Sequence, residues 1–598
     1  MMCGIVGILD FDPRGVVSGD VIREMCRAII HRGPDDEGVY VSPPVGLGMR
    51  RLSIIDLSTG HQPVHNEDKT VWVVFNGEIY NYPELRQTLL GKGHRFYTKS
   101  DTEVIVHLYE EYGPDCFQYL NGMFGIAIWD VKQKQLVLAR DRLGKKPLYY
   151  AVQGKRLLFA SELKSFLRVP EFQKPVNLTA MDFYLAFGCV PGDRCILAGV
   201  NKLPAGHRLI VSETGLQVSS YWELAFGEET RDRGEQYYVE TLRELLFDSV
   251  KRRLLSDVPL GAFLSGGVDS STIVAAMVGL GVQDIKTFTI GFKEEDYSEL
   301  PYAREVADYL GTKHYELIVQ PDMTQLLPEL IWYFDEPFAD SSAIPTYYVS
   351  HLARSEVTVA LSGDGGDELF AGYTRYMDPS WIKMLQAMPE GIRGGLVHKL
   401  VSQLPRGMKG RKLLRRASSD AFDYYASKVM TFDDELKDQL YSDDLRNELD
   451  WHAPLKWLSH YFSESPHASV TSRRQYTDIK MYLPDTILTK LDRASMAVSL
   501  ETRAPFLDYR IVEFAGTIPD RYKMPKGRTK HILKEVAKDL LPARILDRKK
   551  KGFSLPKDIW FRGPLKEFAS DHLLSRKAKT RGYFNFSFIE TLLKEHCS

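Results

Sequence analysis

A short apolar run followed by a serine- and glycine-rich heptapeptide constrains the fold of this 598-residue chain more than any other feature. Val258–Leu264 is typical of a buried strand, and an apolar helix is predicted to follow over 272–277. Between them stands Ser265-Gly266-Gly267-Val268-Asp269-Ser270-Ser271. Glycines let a backbone approach an anion, and the N–H groups and dipole of a helix N-terminus face it. The segment therefore predicts a phosphate site, with an ordinary strand-to-helix loop as the alternative.

The length and composition limit the classes of protein to be considered. A single core stops growing near about 250–300 residues, so at least two domains are expected. The net charge of −2 argues against a dedicated nucleic-acid binder. No apolar run approaches the about 20 residues of a membrane span, and the N-terminus does not resemble a secretory signal. Six scattered cysteines without a CxxC pair suit a reducing cytosol and offer no zinc site of that kind, so we expect a cytoplasmic protein without a membrane or nucleic-acid partner.

Three further segments in this part of the chain carry predictions. Apolar residues at three- and four-residue spacing from Val239 to Leu254 predict a helix ahead of the first strand. Thr287–Gly291 is typical of the next strand. Leu361–Glu368 is a second glycine and acid turn, in which the carboxylates of Asp364 and Asp367 could carry Mg²⁺ or position a substrate. A solvated loop is the alternative for this turn.

The start of the chain holds a second candidate centre, in the run Met1-Met2-Cys3-Gly4-Ile5-Val6-Gly7. Without the methionines, Cys3 would combine a thiol of pKa about 8.5 with an α-amine of pKa about 7.7–8.0. One residue would then supply both a nucleophile and its base. We hypothesise that the mature chain begins at Cys3, which a translation start at Met2 would explain. A small buried thiol in a first strand is the alternative.

Short strands and polar turns fill the residues that follow. Val71–Phe75 and Met123–Trp129 are predicted strands buried in a sandwich. His31–Asp35 is interpreted as a turn, and Arg51–Asp56 as a segment with an arginine at the start of a strand. Asn76–Asn81 is interpreted as the end of a strand, where Asn76-Gly77 alone would favour a plain hairpin turn.

These clusters resemble a known family. Cys3–Gly7, His31–Asp35, Arg51–Ile55, Asn76–Glu78 and Ser100–Asp101 occur in the order and spacing of the class II glutamine amidotransferases. The resemblance implies an N-terminal-nucleophile hydrolase domain with a four-layer αββα sandwich over residues 3–200. It also implies that the domain hydrolyses glutamine to glutamate and ammonia.

The same resemblance assigns roles to the individual residues. Cys3 would attack the side-chain amide of glutamine, with the Asn76 side chain and the Gly77 N–H as the oxyanion hole. Arg51 would hold the α-carboxylate through its planar fork. Glu78 and Asp101 would hold the α-ammonium. The implied glutamine-binding residues are Arg51, Leu52, Ser53, Ile54, Ile55, Asn76, Gly77, Glu78 and Asp101.

The heptapeptide resembles a second family. It lacks the Gly-Lys-Ser/Thr of a Walker loop and is similar to the SGGxDSS loop of the N-type ATP pyrophosphatases, which grips the leaving pyrophosphate. The resemblance implies a parallel-sheet α/β domain with added helices over residues 225–598. It implies Mg²⁺ on Asp269 and Asp367, as oxygen-rich ligation favours. The implied ATP-binding residues are Leu264, Ser265, Gly266, Gly267, Asp269, Ser270, Ile290 (against adenine), Ser362 and Gly363.

Two C-terminal segments extend this resemblance. Arg548-Lys549-Lys550-Lys551-Gly552-Phe553 is a basic run of a kind that usually forms a solvated face. The family carries Arg-x-Lys ahead of an aromatic residue here, and its lysine neutralises charge during adenylation and amide formation. That spacing selects Lys550, with Lys551 as the alternative. Leu500–Asp508 also matches a family signature, interpreted as scaffold around the synthetase pocket.

Together the two halves resemble the asparagine synthetase family along nearly the whole chain. The resemblance implies glutamine hydrolysis at Cys3, adenylation of a carboxylate by ATP, and passage of ammonia through an internal tunnel to the acyl-adenylate. The implied small-molecule substrates are glutamine, ATP and aspartate, and the implied products are asparagine, AMP, pyrophosphate and glutamate. A homodimer follows only by analogy with the family.

Two departures concern the acceptor. Better-known members carry glutamate where this chain has Asp364, which we predict to be catalytic, and an arginine within the segment Asp340–Pro345. No basic residue lies nearby in sequence to replace that arginine. These features resemble a sub-branch linked to exopolysaccharide and exosortase gene clusters. Aspartate is therefore the first candidate for the acceptor rather than the established one, and a sugar acid or peptide carboxylate is the alternative. A glutaminase or scaffold with an inactive second domain is a third interpretation, opposed by the intact Ser265–Ser271, Asp367 and Lys550.

Overall fold

The computed structural model describes residues 3–227, 232–294, 297–320, 322–378, 420–465, 468–548, 555–563 and 565–597. Within these ranges the first part of the chain forms two antiparallel sheets of six strands each. Their strands are β1 (Cys3–Asp10), β2 (Asp36–Ser42), β3 (Val45–Arg51), β4 (Val64–His65), β5 (Val71–Ile79), β6 (Gly122–Asp130), β7 (Gln135–Arg140), β8 (Tyr149–Gln153), β9 (Arg156–Ala160), β10 (Val200–Lys202), β11 (His207–Ser212) and β12 (Gly215–Ser220).

The two sheets stack face to face between layers of helices. Their orders are β10-β8-β9-β1-β3-β2 and β12-β11-β7-β6-β5-β4. Apolar side chains of both sheets, such as Ile5 and Val74, share one buried cluster. Helix α1 (Gly19–Arg27) covers the outer face of the first sheet, and α2 (Tyr82–Gly91) and α3 (Glu103–Tyr112) cover the second. This αββα order confirms the predicted sandwich, whose sheets continue past residue 200 as far as Ser220.

The structure differs from two local interpretations. The hairpin-turn alternative for Asn76-Gly77 does not hold, because both residues pair inside β5 with Gly125 and Phe124 of β6. A Cβ atom on Gly77 would lie 1.9 Å from the carbonyl oxygen of Met123. The glycine therefore marks a close backbone approach within the sheet rather than a chain reversal. Arg51 ends β3 instead of starting a strand, and the segment 52–56 that follows it leaves the sheet.

The second part of the chain is built on a parallel sheet, as predicted. Its order is β15-β14-β13-β16-β17, and every neighbouring pair is parallel. The strands are β13 (Leu260–Phe263), β14 (Lys286–Phe292), β15 (Lys313–Val319), β16 (Val359–Leu361) and β17 (Glu501–Arg503). Helix α4 (Leu178–Phe187) lies between β9 and β10 of the first part, and α5 (Glu235–Arg253) precedes β13. Between the parallel strands lie α6 (Val268–Gly279), α7 (Leu300–Leu310), α8 (Met323–Phe334), α9 (Ala343–Arg354) and α10 (Gly366–Leu369).

Further helices follow the sheet and pack around it. Among the described residues, no helix is both long and apolar enough to cross a bilayer. The segment Asp478–Leu488 is a π-helix that runs directly into the helix Thr489–Met496. The remaining helices are Ala421–Val429, Asp434–Leu440, Asp443–Glu448, Ala453–Ser463, Val470–Thr477, Tyr509–Thr517, Asp520–Lys523, His531–Ala537, Ala543–Leu546, Lys557–Arg562, Lys566–Leu573, Arg576–Thr580 and Phe586–Cys597.

Candidate active site

Cys3 lies at the first position of β1, fully buried between the two sheets. Its backbone N–H donates to Oδ1 of Asn76 at 3.0 Å, and its carbonyl accepts from Nε of Arg32 at 3.0 Å. Burial raises the pKa of the Cys3 thiol to about 11, although a hydrogen bond from the Leu52 N–H opposes the shift. The thiol is therefore neutral at physiological pH and needs a base to become a nucleophile.

Two neighbouring residues of β5 face this thiol region. Asn76 is fully buried, and its Nδ2 lies 3.4 Å from Oγ of Ser161. Gly77 follows at the closest approach of β5 to β6 described above. An amide side chain and a backbone N–H at successive strand positions can both serve a developing oxyanion. The structure thus brings Cys3, Asn76 and Gly77 together, as the sequence predicts.

Two buried carboxylates lie beside them. Burial raises the pKa of Glu78 to about 7, with the charge of Asp101 acting in the same direction. Burial also raises the pKa of Asp101, whose Oδ2 accepts from the Ile79 N–H at 2.9 Å. Arg503 of β17 lies 3.3 Å from Glu78. Two buried carboxylates, each with a raised pKa, form a site that attracts an ammonium group.

The segment after β3 surrounds the Arg51 guanidinium, which is buried. Its Nη2 donates to the carbonyls of Ile55 and Asp56 at 3.1 and 2.6 Å. Leu52, Ile54 and Ile55 are buried, and the Ser53 N–H donates to Asp35 at 2.8 Å. Strand β1 pairs with β3 so that Cys3 lies opposite Arg51. The segment that follows Arg51 is therefore held in place next to Cys3.

The predicted phosphate loop connects β13 to α6 at the carboxyl edge of the parallel sheet. Gly266 has a φ of +68°, and a Cβ atom there would lie 2.5 Å from the backbone of Tyr302. The Ser265 and Ser270 hydroxyls lie 3.1 Å apart, and the Gly267 N–H donates to Ser265 Oγ at 3.3 Å. The loop thus holds its own shape at a helix N-terminus, which suits an anion.

The two acids predicted to bind Mg²⁺ converge on one cation. Lys530, which is buried, forms ion pairs with Asp269 and with Asp367, the latter at 2.6 Å. Sequence reasoning missed this lysine, because it precedes an ordinary helix and no motif marks it. Its place between the two carboxylates shows that both can share a single positive charge.

A cavity of about 460 Å³ opens in front of the loop. Arg548 borders it, donating to the Ser265 carbonyl at 3.1 Å and to Glu299 at 2.7 Å. Lys550 and Lys551 lie outside the described residues. The predicted residues that line this cavity are Leu264, Ser265, Gly267, Asp269, Ser270, Ile290, Ser362, Gly363, Asp364 and Asp367; Gly266 lies behind the loop, against Tyr302.

The structure places a lysine beside the segment Asp340–Pro345, which has no basic residue near it in the sequence. Lys490 of the helix Thr489–Met496 borders the cavity, with Nζ 3.0 Å from Ser342 Oγ and 3.5 Å from Asp340 Oδ2. Burial raises the pKa of Asp364, and the charge of Lys490 opposes that rise. Sequence reasoning missed Lys490 because about 150 residues separate it from Asp340.

The helix that carries Lys490 also reaches the Cys3 centre. Asp492 accepts from Arg32 at 2.9 and 3.0 Å and from Lys146 at 3.3 Å. Arg493 pairs with Glu162 at 2.6 Å. Since Arg32 also binds the Cys3 carbonyl, a single helix touches both the nucleophile strand and the phosphate-loop cavity.

Strand β17 provides a second connection, within the segment interpreted as a scaffold for the synthetase pocket. The carbonyl of Arg503 accepts from the Ser362 N–H at 2.8 Å, which supports the cavity wall. The side chain of Arg503 points to Glu78 and Glu501 instead. The segment therefore serves both centres.

An apolar region lies between the centres. The buried cluster that contains Cys3 also contains Val359 of β16 and Met496 of the helix Thr489–Met496. Val359 is at the start of the strand whose end leads to Ser362 and Asp364. Val359 and Met496 thus extend the apolar core around Cys3 towards the parallel sheet, beside the buried charges of Arg32, Asp492 and Arg503.

Comparison with known proteins agrees with this arrangement. Residues 2–222 match the family model "Glutamine amidotransferase domain", and residues 241–598 match "Asparagine synthase". "Asparagine synthetase [glutamine-hydrolyzing] 1" of Bacillus subtilis is 37% identical, covering 100% of this chain and 93% of its own length. "Putative asparagine synthetase [glutamine-hydrolyzing] 2" of Methanocaldococcus jannaschii is 36% identical over 83% of this chain and 98% of its own.

A more distant relative carries a different name. "Amidase chry2" of Gibberella zeae is 28% identical, covering 98% of this chain and 93% of its own length. The two family models nevertheless account for both centres, and the relative from Bacillus subtilis spans the whole chain. The chain belongs to the glutamine-hydrolysing asparagine synthetase family.

Proposed function

We propose that this protein uses glutamine and ATP to convert the side-chain carboxylate of aspartate into an amide, giving asparagine. The observation that carries the proposal is the helix Thr489–Met496, whose Lys490 borders the acid-lined cavity while its Met496 shares a buried apolar cluster with Cys3. Ammonia that crosses an apolar interior stays unprotonated and nucleophilic. In bulk water most of it would become ammonium.

At the first centre, the Cys3 sulfur attacks the side-chain amide carbon of glutamine. The tetrahedral oxyanion accepts hydrogen bonds from the Asn76 amide and the Gly77 N–H. Collapse breaks the C–N bond and releases ammonia with the thiol proton, and water then hydrolyses the thioester to glutamate. The buried thiol needs a base, which the Cys3 α-amine supplies once the preceding methionines are removed.

At the second centre, the acceptor carboxylate attacks the α-phosphorus of ATP and pyrophosphate leaves. Ammonia then attacks the acyl-adenylate carbon, so that AMP leaves and the amide forms. The loop Ser265–Ser271 would hold the pyrophosphate through its N–H groups, while Lys530 and Lys550 balance its charge.

The acids in the cavity fit the Mg²⁺ that this family implies. Asp269 and Asp367 both reach the Lys530 ammonium, so their oxygens can also converge on a metal ion. Oxygen donors without thiols or imidazoles are the ligands that Mg²⁺ prefers. When bound, the ion would neutralise charge on the phosphates.

The charges around Lys490 favour an amino dicarboxylate as the acceptor. Lys490 can bind the carboxylate that does not react, where better-known relatives carry the missing arginine. Asp340 and Asp364 lie close enough to receive an ammonium group. Burial pushes the pKa of Asp340 up, but Lys490 and hydrogen bonds from Ser342 outweigh it and lower the pKa, which keeps this carboxylate ionised.

The test is pyrophosphate release with glutamine, ATP and Mg²⁺, with and without aspartate, and with products identified by mass spectrometry. We expect aspartate to stimulate release and asparagine, AMP and glutamate to accumulate. Glutamate formation without aspartate-dependent pyrophosphate would refute aspartate as the acceptor. Sugar acids and peptide carboxylates would then be assayed in the same way.

A further inference from the structure

Four side chains outside both centres converge on one point of the first domain. They are Glu67 from the turn between β4 and β5, His94 from the loop after α2, and His107 and Glu110 from α3. One donor atom from each lies within 4.8 Å of all the others. We propose that these residues bind a divalent transition-metal ion of the zinc class.

The spacing of the donor atoms matches tetrahedral coordination. Bonds of about 2.0 Å to zinc place neighbouring ligand atoms about 3.3 Å apart. Glu110 Oε2 lies 2.9 Å from Nδ1 of His107 and 3.5 Å from Nδ1 of His94. Glu67 Oε2 lies 3.7 Å from the same His107 nitrogen. These three distances lie on both sides of the separation of about 3.3 Å expected between ligand atoms of tetrahedral zinc, so small side-chain shifts would complete the site.

The outer nitrogens of both histidines face carboxylates. His94 Nε2 lies 3.0 Å from Glu111, and His107 Nε2 lies 3.7 Å from Glu103. Metal-binding histidines ordinarily present their second nitrogen to such a carboxylate, which fixes the ring and raises its basicity. Glu111 thus holds the His94 ring with Nδ1 inward, and Nδ1 of His107 is directed inward by its 2.9 Å contact with Glu110.

The outer oxygens of the two glutamates are held as well. Asn66 Nδ2 donates to Glu110 Oε1 at 2.7 Å, and the Arg95 N–H donates to Glu67 Oε1 at 2.8 Å. In each carboxylate the second oxygen is left to face the centre. The His107 side chain is 0% exposed and that of Glu67 is 39% exposed, so the site is anchored in the core and open to entering ions.

The site joins segments that also shape the Cys3 centre. Helix α3 begins directly after Asp101 and Thr102, and β5, which carries Asn76–Glu78, begins shortly after Glu67. A bound ion would tie this helix to the turn that starts the strand. We therefore expect zinc to raise the melting temperature of the protein, because it binds the folded state in preference.

The experiment uses the full chain, purified without a metal-affinity tag and stripped with a chelator. Calorimetric titration with zinc chloride and elemental analysis of the complex should give one zinc ion per chain. The double variant Glu67→Gln/His94→Asn, changed only at residues with solvent access, should lose this ion. Glu111→Gln should weaken zinc binding by about 10–100-fold, as loss of an outer carboxylate does.

A matched control is the exposed pair His460 and Glu464, 3.1 Å apart at the end of the helix Ala453–Ser463. The variant His460→Asn/Glu464→Gln should bind zinc like the wild type. The proposal is overturned if wild-type protein binds no zinc in excess metal. It is equally overturned if the Glu67/His94 variant, folded as judged by its melting transition, keeps the wild-type affinity and stoichiometry.

Discussion

Replacing Lys490 by methionine tests how the cavity recognises its acceptor. The substitution keeps the length and apolar stem of the side chain but removes its charge. Lys490 Nζ contacts Ser342 at 3.0 Å and lies 3.5 Å from Asp340, with 11% of its side chain exposed. In the proposed complex Lys490 pairs with the unreactive carboxylate of the acceptor, and removing one partner of such a buried charge pair costs about 2–5 kcal/mol of binding free energy.

That cost converts into a defined kinetic effect. Since about 1.4 kcal/mol is a factor of ten, the lower bound corresponds to a KM for the acceptor raised about 30-fold. The assay is pyrophosphate release at saturating ATP and glutamine, with aspartate varied. Glutamate formation at Cys3 should change little, because Lys490 does not touch that centre.

Two comparisons make the result decisive. Lys490→Arg keeps the positive charge and should retain most of the affinity for aspartate. If Lys490→Met instead leaves the KM for aspartate unchanged and raises the KM for ATP, Lys490 serves the nucleotide and the reasoning is wrong.

Four further predictions concern the first centre and its connection to the second. Cys3→Ala should abolish glutamine use and keep ammonia-dependent pyrophosphate release; equal loss of both activities would contradict two separate centres. Gly77→Ala should also abolish glutamine hydrolysis, because its Cβ would lie 1.9 Å from the Met123 carbonyl oxygen, whereas Gly91→Ala, in open space, should be neutral. Asp492→Asn should lower the free energy of unfolding by about 1.5–3 kcal/mol in denaturant titrations, since Arg32 keeps its pair with Glu162 but both Arg32 and Lys146 lose a charged hydrogen-bond partner; an unchanged midpoint would contradict this. Because the pKa of Glu78 is raised to about 7, its ionised form grows as pH rises through 7, so the KM for glutamine should fall over that range while the KM for aspartate in the ammonia-dependent reaction does not follow it; a KM for glutamine independent of pH would argue against Glu78 as the ammonium ligand.

The same raised pKa has a consequence for stability. A glutamate whose folded-state pKa exceeds its unfolded value contributes stability below the unfolded value and loses it as pH rises through the folded one. Glu78 therefore stabilises the fold most at low pH and least above about pH 7. In the proposed mechanism the ionised form of Glu78 is the one that binds the ammonium group of glutamine.

The spacing of apolar residues within short segments was enough to predict the strands and the helix that carry most of the proposed chemistry. The strand and helix flanking Ser265–Ser271 were predicted from apolar spacing, and the observed β13 and α6 agree. The predicted strands at Val71–Phe75 and Met123–Trp129 lie within β5 and β6. Such elements follow from side-chain periodicity over a few residues, which the sequence displays directly.

Local pattern failed where a tertiary contact overrode it. Asn76-Gly77 has the composition of a hairpin turn, yet β6 lies so close that only glycine fits and the strand continues. Lys490 and Lys530 have no motif, because their significance depends on carboxylates far away along the chain.

What the sequence by itself determined is therefore the place and order of the two candidate centres: a cysteine at the start of the first strand and a glycine-rich loop between a strand and a helix. What only the tertiary structure decided is how the centres are joined. Arg32 and Asp492 meet across 460 residues, and Arg503 crosses from the parallel sheet to Glu78. Charges can be buried only in pairs, and which charges pair depends on how distant segments pack, which no local pattern records.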